Sequence, residues 1–534
     1  MTGSTGARGA VSARGDRWAV ASPHPLASEA AGRAFAAGGN AVDAALHAAT
    51  TLAVVCPHMC GAGGDLFALV QNPDGKVVAI DSSGRAPSGT DPESVRREHG
   101  AVMPDGGPAT VTVPGAVRGW WALHGQGASL PWADAFHVAI AAAADGVPIS
   151  RDLAGSIARR ADELRSDPGF AGSILAAGVP VEGDLLAQAA LAATLRTIAE
   201  EGADAIYAGS LAGSLADGLR ALGVPLGDDD LAGHAAELVP PLRGRYRDLD
   251  VLVSPPPSQG FVLLEALAAI ERLSIDPDPV GEDVVALARI LAAASADRDR
   301  HLADPDAMTV HVSTLLDDGH IAALCEAVRS GGPTHAWAGR GGSTGGDTIA
   351  LVTADADGWG VSLIQSLYSA FGSGILEPST GLILHDRGGC FTLVPGHPNE
   401  LAPGKRPAHT LMPVAVQRDG HLVGLMGTRG GHGQPQIDLM TLVRTFDLNL
   451  DPADAVTAAR WLVGGMEPLG HDAWVLCEAD LPSTARDDLA AAGFRVQLGG
   501  RNDRALGHAM VLRVDDDGLR AGSDPRSDAG ALAT

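Results

Sequence analysis

The chain of 534 residues is short of aromatic side chains, of cysteine and of positive charge. With only 3 Tyr and 9 Phe, its core has to be built from Ala, Leu and Val in elements that approach one another closely. Five cysteines (Cys56, Cys60, Cys325, Cys390 and Cys477), odd in number and irregularly spaced, make no disulfide framework and suit a reducing compartment. Lys and Arg total 38 against 64 Asp and Glu, and the net charge of -26 argues against nucleic acid or an anionic membrane as partner. No run reaches the ~20 apolar residues of a spanning helix. The N-terminal stretch also lacks the apolar h-region of about 7–15 residues found in a signal peptide. The expectation is a soluble, cytoplasmic protein.

Common catalytic signatures are missing too. There is no strand-turn-helix nucleophile elbow, no P-loop and no H-E-x-x-H. "GAGGDLF" is glycine-rich but does not open a helix after a strand, so it is no dinucleotide fingerprint. "CPHMC" (Cys56 to Cys60) has no second ligand pair at zinc-site spacing, and neither a metal nor an organic cofactor is expected. His301, His397 and His432 read as structural or as supporting residues behind a site, rather than as catalytic ones.

What is present is a globular composition, 46% hydrophobic and 19% charged. Helical periodicity fills "PLASEAAGRAFAAGG" and "NAVDAALHAATTLAVV", the second with Asn40 as N-cap. "DLFALVQNPDGKVVAIDSSG" alternates about an Asn72–Gly75 turn and predicts a β-hairpin. Residues 130–225 and 282–329 read as mostly helical. Residues 330–347 form the longest glycine-rich, weakly hydrophobic segment, the composition of a flexible linker. Strand patterns dominate beyond it, with a hairpin about Arg418–Gly420. The fold class is therefore α+β, with a helix-rich portion 1–347, a strand-rich portion 348–534, and the linker as the seam between them.

The seam ends at Asp347-Thr348, directly before an apolar run. A threonine there can simply open a β-strand. It can also be a site of self-cleavage, because a Thr hydroxyl needs an adjacent base, and its own α-amine becomes available once Thr is the first residue of a chain. An α-amine titrates near ~7.7–8.0, well placed for general-base work.

The order of motifs decides between these readings. "ASPHPLASEAAGRAFAAGGNAVDAALHAATTLAVVCPHMCGAGGDLF", "IDSSGRAPSG", "TVTVPGAVRGW", "PPPSQG", "GDTIALVTADADGWGVSLIQSLYSAFGSGI", "TGLILHDRGGCF", "PGKRPAHTLMPVAV" and "GTRGGHGQPQ" follow one another in the pattern of the γ-glutamyltransferase family, which the chain resembles over residues 18–515. The resemblance implies an N-terminal-nucleophile hydrolase, a four-layer αββα sandwich whose precursor cuts itself into a large and a small subunit that stay together as a heterodimer. Cleavage falls between Asp347 and Thr348, and Thr348 is the nucleophile. Ser366 matches the supporting hydroxyl residue, and Gly430-Gly431 match the glycine pair whose N–H groups form the oxyanion hole. Arg85 matches the arginine that grips the substrate carboxylate.

The remaining substrate positions depart from the family pattern. Cys390 stands where an acidic residue meets the α-amino group, and Arg387 stands where a Gln is usual. Tyr368 replaces an Asn, and His409-Thr410 replace a Ser-Ser pair. These changes resemble those of acylase-like members. The implied activity is cleavage, with possible transfer, of a γ-glutamyl or similar acyl group from a small amide donor to water or an amine. A glutaryl-type donor suits Arg85 plus Arg387 better than a zwitterionic one. The alternatives are a glutaryl- or cephalosporin-acylase-like enzyme, a secondary-metabolism hydrolase, or an unprocessed homologue that only binds.

Overall fold

The computed structural model describes residues 10–331, 346–464 and 474–534. Most of the anticipated linker, residues 332–345, lies outside them. Two seven-stranded antiparallel sheets stack face to face. One runs in the order Val11–Gly15, Gly518–Ser523, His508–Asp515, His421–Arg429, Val414–Arg418, Leu249–Val253, Leu242–Tyr246. The other runs Gly530–Ala533, Trp18–Ser22, Asp347–Asp355, Gly360–Tyr368, Asp65–Gln71, Val77–Ser82, Glu237–Val239. Both sheets contain strands from before and after Thr348, so the two portions of the chain share one core rather than forming separate bodies.

Three apolar layers hold the stack together. Between the sheets lie Phe67, Leu69, Val352, Ile364, Leu425 and Met510. Outside the second sheet, Ala-rich helices at Pro25–Ala36, Ala41–Val55, His137–Asp145 and Ala189–Glu201 close one face. Outside the first, the helices Phe261–Leu273, Val284–His301, Asp318–Arg329 and Gln434–Phe446 close the other. This is the αββα order implied by the resemblance. The helix Ala41–Val55 is buried at all 15 positions, which its short side chains permit. It starts where the sequence places it: the Asn40 side chain accepts from the Val42 and Asp43 N–H groups, and Asp43 reaches back to the Asn40 N–H in a capping box.

The hairpins at 65–82 and 414–429 form as expected. Two features depart from the sequence reading. The N-terminal strands Val11–Gly15 and Trp18–Ser22 were not anticipated, and the strand-rich portion also contains the helices Gln434–Phe446 and Ser483–Ala491. Among the described residues no helix is long and apolar enough to cross a membrane.

Candidate active site

Thr348 lies on a central strand of the second sheet, 1% exposed, opposite Ser366 on the neighbouring strand. The ladder slips at Asp347/Thr348: Asp347 pairs with Tyr368 and Thr348 with Ser366, leaving Leu367 as the extra residue of a bulge. The slip gathers three polar groups on one hydroxyl. Ser366 Oγ donates to the Asp347 carbonyl oxygen at 2.9 Å and accepts from the Tyr368 N–H at 2.8 Å. Thr348 Oγ1 is 2.8 Å from the same oxygen. Because the single Ser366 proton is committed to the carbonyl, Thr348 must be the donor in that contact. Its proton therefore points away from the oxygen lone pairs that would attack, and the Asp347 carbonyl is polarised by the same serine.

The backbone around this bond is fixed from a second strand. Arg429, 7% exposed at the end of His421–Arg429, donates through Nε to the Gly346 carbonyl at 3.1 Å and pairs through Nη2 with the Asp347 carboxylate. Its Nη1 lies 3.3 Å from His508 Nε2. Burial, and Arg429 beside it, push His508 well below the ordinary histidine range, so this ring is a neutral acceptor. Gly430 and Gly431 follow directly. Gly431 sits at φ +52°, a conformation glycine tolerates best. Its Cα would lie 2.6 Å from a Cβ placed on Gly346, so the chain before Thr348 packs backbone to backbone against the glycine pair. The Gly431 carbonyl is held by Gln259 Nε2 at 2.9 Å, and the same nitrogen donates to the Thr410 carbonyl at 2.8 Å.

Tyr368, bonded through its N–H to Ser366, joins Cys390, His409, Thr410, Gln259 and Asp299, among others, in lining a cavity of about 50 Å³. Tyr368 holds a left-handed backbone (φ 78°), secured by its N–H bond to Ser366, and the Arg387 guanidinium lies 4.4 Å from its ring centre. Arg387 is fully buried. Its Nη1 donates to Thr410 Oγ1 at 2.9 Å, and its Nε is 3.9 Å from Asp65 Oδ2. Among the described residues Arg387 makes no ion pair with its chain neighbour Asp386. Asp386 instead accepts from the Ser369 N–H at 2.9 Å, and burial raises its pKa.

The counter-ion is Asp65, which the sequence reading passed over inside "GAGGDLF". Its Oδ2 accepts from His409 Nε2 at 3.0 Å and is 3.3 Å from His385 Nδ1. Burial pushes the Asp65 carboxyl up, but His385 and the hydrogen bond from His409 outweigh it and hold it well below the usual carboxylate range. Burial drives the pKa of His409 down to about 3. With Nδ1 accepting from the Leu411 N–H at 3.3 Å, His409 is a neutral ring carrying its proton on Nε2. The Cys390 thiol is likewise raised by burial, so Cys390 presents S–H rather than thiolate to the cavity.

Five of the predicted residues, Thr348, Ser366, Gly430, Gly431 and Asp347, come together around one peptide bond, with Tyr368, Cys390, His409 and Thr410 lining the adjoining cavity and Arg387 directly behind them. Arg85 is elsewhere. It is half exposed, donates to Asp304 at 3.1 Å and the Gly404 carbonyl at 3.0 Å, and lies 3.8 Å from Glu237. It is paired with acidic neighbours and is not among the residues lining the cavity.

Among the described residues the grouping with metal-ligand chemistry is Glu265, Asp297 and His320, outside this site. His320 is raised to about 9 by its contacts with Glu265 and Asp297, while burial raises Glu265 to about 8, so the cation His320 pairs chiefly with Asp297, 2.9 Å away. The Cys60 thiol of "CPHMC" is pushed up to about 12 by burial, and Cys56 is raised with it.

Two stacked antiparallel sheets between helical layers, with the candidate centre at the head of an inner strand, define the class: this is an N-terminal-nucleophile hydrolase fold. A sequence model of the gamma-glutamyltranspeptidase family matches residues 27–534, and the chain belongs to that family. It is 36% identical to the oxamate amidohydrolase proenzyme of Klebsiella pneumoniae subsp. pneumoniae over 95% of this chain and 97% of the other. It is 35% identical to the glutathione hydrolase-like YwrD proenzyme of Bacillus subtilis, over 97% and 98% of the two chains. The crystal structure of cephalosporin acylase from Bacillus halodurans superposes over all of this chain and 98% of that one, with a TM-score of 0.89 and 32% identity. The protein is accordingly an amide hydrolase of the gamma-glutamyltranspeptidase family with acylase-like relatives.

Proposed function

We propose that the chain cuts itself between Asp347 and Thr348, and that Thr348 then serves as the nucleophile of a small-molecule amidase. The observation that carries this is the Ser366 hydroxyl, bonded both to Thr348 Oγ1 and to the carbonyl that Thr348 would attack. In the first reaction Thr348 Oγ adds to the Asp347 carbonyl carbon. Collapse expels the Thr348 nitrogen, which takes a proton and becomes an α-amine, and water opens the resulting ester. In the second reaction that amine accepts the hydroxyl proton as Oγ attacks the donor amide, and the N–H groups of Gly430 and Gly431 receive the developing oxyanion. The proton passes to the leaving amine, and water or an acceptor amine releases the acyl group.

The two fragments stay together because each supplies strands to both sheets. Neutral His409, the Cys390 thiol and Tyr368 line the cavity, and the carboxylate among its lining residues, Asp299, is paired with Arg298, which disfavours a glutamyl head group held through its ammonium. The names of the relatives, an oxamate amidohydrolase and a cephalosporin acylase, support a non-glutamyl amide. Free cysteines, four of the five buried, suit a reducing compartment, and the cytoplasm is the location taken here. A slowly deacylating amide tests the chemistry. Its acyl mass is expected on the fragment that begins with Thr348, and an adduct on any other residue would overturn the assignment. Comparing γ-glutamyl and glutaryl anilides tests the donor, and faster turnover of the γ-glutamyl compound would refute the non-glutamyl reading.

A further inference from the structure

Arg429 carries a charge whose compensation depends on the bond to be cut. Its guanidinium is almost fully buried, and among the described residues its one ion-pair partner is the Asp347 carboxylate. Its other contacts, the Gly346 carbonyl and neutral His508, are uncharged. Cleavage leaves Asp347 on a chain end no longer tied to Thr348. A buried guanidinium without a counter-ion is costly, and this one stands directly before the Gly430-Gly431 pair and beside Thr348.

We propose that Arg429 is the anion-binding residue of the mature site, which the precursor fills with its own Asp347, and that the natural donor is the monoamide of a short dicarboxylic acid. This rests on the reading of Thr348 as nucleophile. The chain length follows from Asp347 itself. Its side-chain carboxylate is separated by two carbons, Cα and Cβ, from the carbonyl that faces Thr348, the spacing of a succinyl group. Arg429 is the residue that takes this carboxylate, whereas Arg85 is half exposed and paired with Asp304, and Arg387 lies behind Tyr368 and Thr410. Before cleavage the same contacts position the Gly346–Asp347 segment for attack.

The test compares succinyl and butyryl 4-nitroanilide, which differ by a carboxylate in place of a methyl group, on matured wild type and on Arg429→Gln and Arg429→Lys, with rates taken per free Thr348 terminus. Wild type is expected to favour the succinyl compound in kcat/KM. Arg429→Gln is expected to lower that preference at least ~30-fold, as for one partner of a buried charge pair, and Arg429→Lys is expected to restore part of it. An unchanged ratio in Arg429→Gln, or no preference in wild type, overturns the proposal. Should Arg429→Gln stay uncut, calorimetry with succinate decides. Matured wild type is expected to bind it and uncut Thr348→Ala is not, while equal binding or none to either is contrary to the proposal. The free Thr348 terminus and turnover of the butyryl compound report on the nucleophile independently of these ratios.

Discussion

Replacing Ser366 with alanine tests the polar junction at its centre. Ser366 Oγ makes three contacts, at 2.8, 2.9 and 2.8 Å, to Thr348 Oγ1, the Asp347 carbonyl and the Tyr368 N–H. Ser366→Ala removes a donor aimed at the oxygen on which negative charge develops, a loss of ~10²–10³ in rate for a comparable oxyanion donor. It also removes the acceptor that orients the Thr348 hydroxyl. The two losses act on one transition state and do not add, so ~100-fold is the minimum expected. The folded precursor loses in addition the partner of a buried N–H at a left-handed residue, ~1–3 kcal/mol. The assay is the fraction of intact chain against time after synthesis, read by mass spectrometry, with urea unfolding alongside. Ser366→Thr keeps the hydroxyl and should cleave within ~10-fold of wild type. Cleavage of Ser366→Ala at the wild-type rate in a folded protein would refute the junction as the source of reactivity.

Gly346→Ala puts a methyl group 2.6 Å from the Gly431 Cα, backbone against backbone, and should accumulate as uncut chain on a denaturing gel, whereas the open-surface change Gly396→Ala should mature normally apart from strain at its positive φ. Arg85→Ala should change the KM of the matured enzyme by less than ~2-fold, since an exposed, paired arginine outside the cavity contributes little; a rise of ~10-fold or more would restore it to the substrate site. Burial holds His58 and His409 to about 3 and His234 to about 4. Each folded value is below the unfolded one, so the unfolded chain binds more protons. The contribution of these rings is complete above pH ~6.5 and is lost progressively as pH falls toward the folded values. Thermal midpoints should therefore drop steadily from pH 7 to pH 4, and a flat profile would contradict neutral buried rings.

The αββα class and the Thr348–Ser366–glycine constellation were legible because they rest on ordered motifs. The Asn40 cap and the Asn72–Gly75 turn were legible because local chemistry specifies them. The strands Val11–Gly15 and Trp18–Ser22 were not, because they are edge and near-edge partners whose pairing to Gly518–Ser523 and Gly530–Ala533 comes from the far end of the chain. The helix Gln434–Phe446 carries Pro435 in its first turn after a glycine turn and buries its polar residues with its apolar ones, so no exposed polar face marks a helical period. The pairing of Arg85 with Asp304 and the approach of Arg387 to Asp65 were not legible, because sequence position cannot show which carboxylate reaches a guanidinium first. Asp304 and Glu237 reach Arg85 from distant segments, and Asp65 lies 322 positions before Arg387 in the sequence. Asp65 itself could have been suspected from an acid at the start of an otherwise apolar strand.

The most direct measurement of the central claim is the intact mass of the purified protein beside that of Thr348→Ala. Two fragments, the smaller with Thr348 as its first residue, are expected from wild type, and one uncut chain from the variant. An active wild type that remains a single chain, or a Thr348→Ala variant that is still cut at Asp347, would contradict the account.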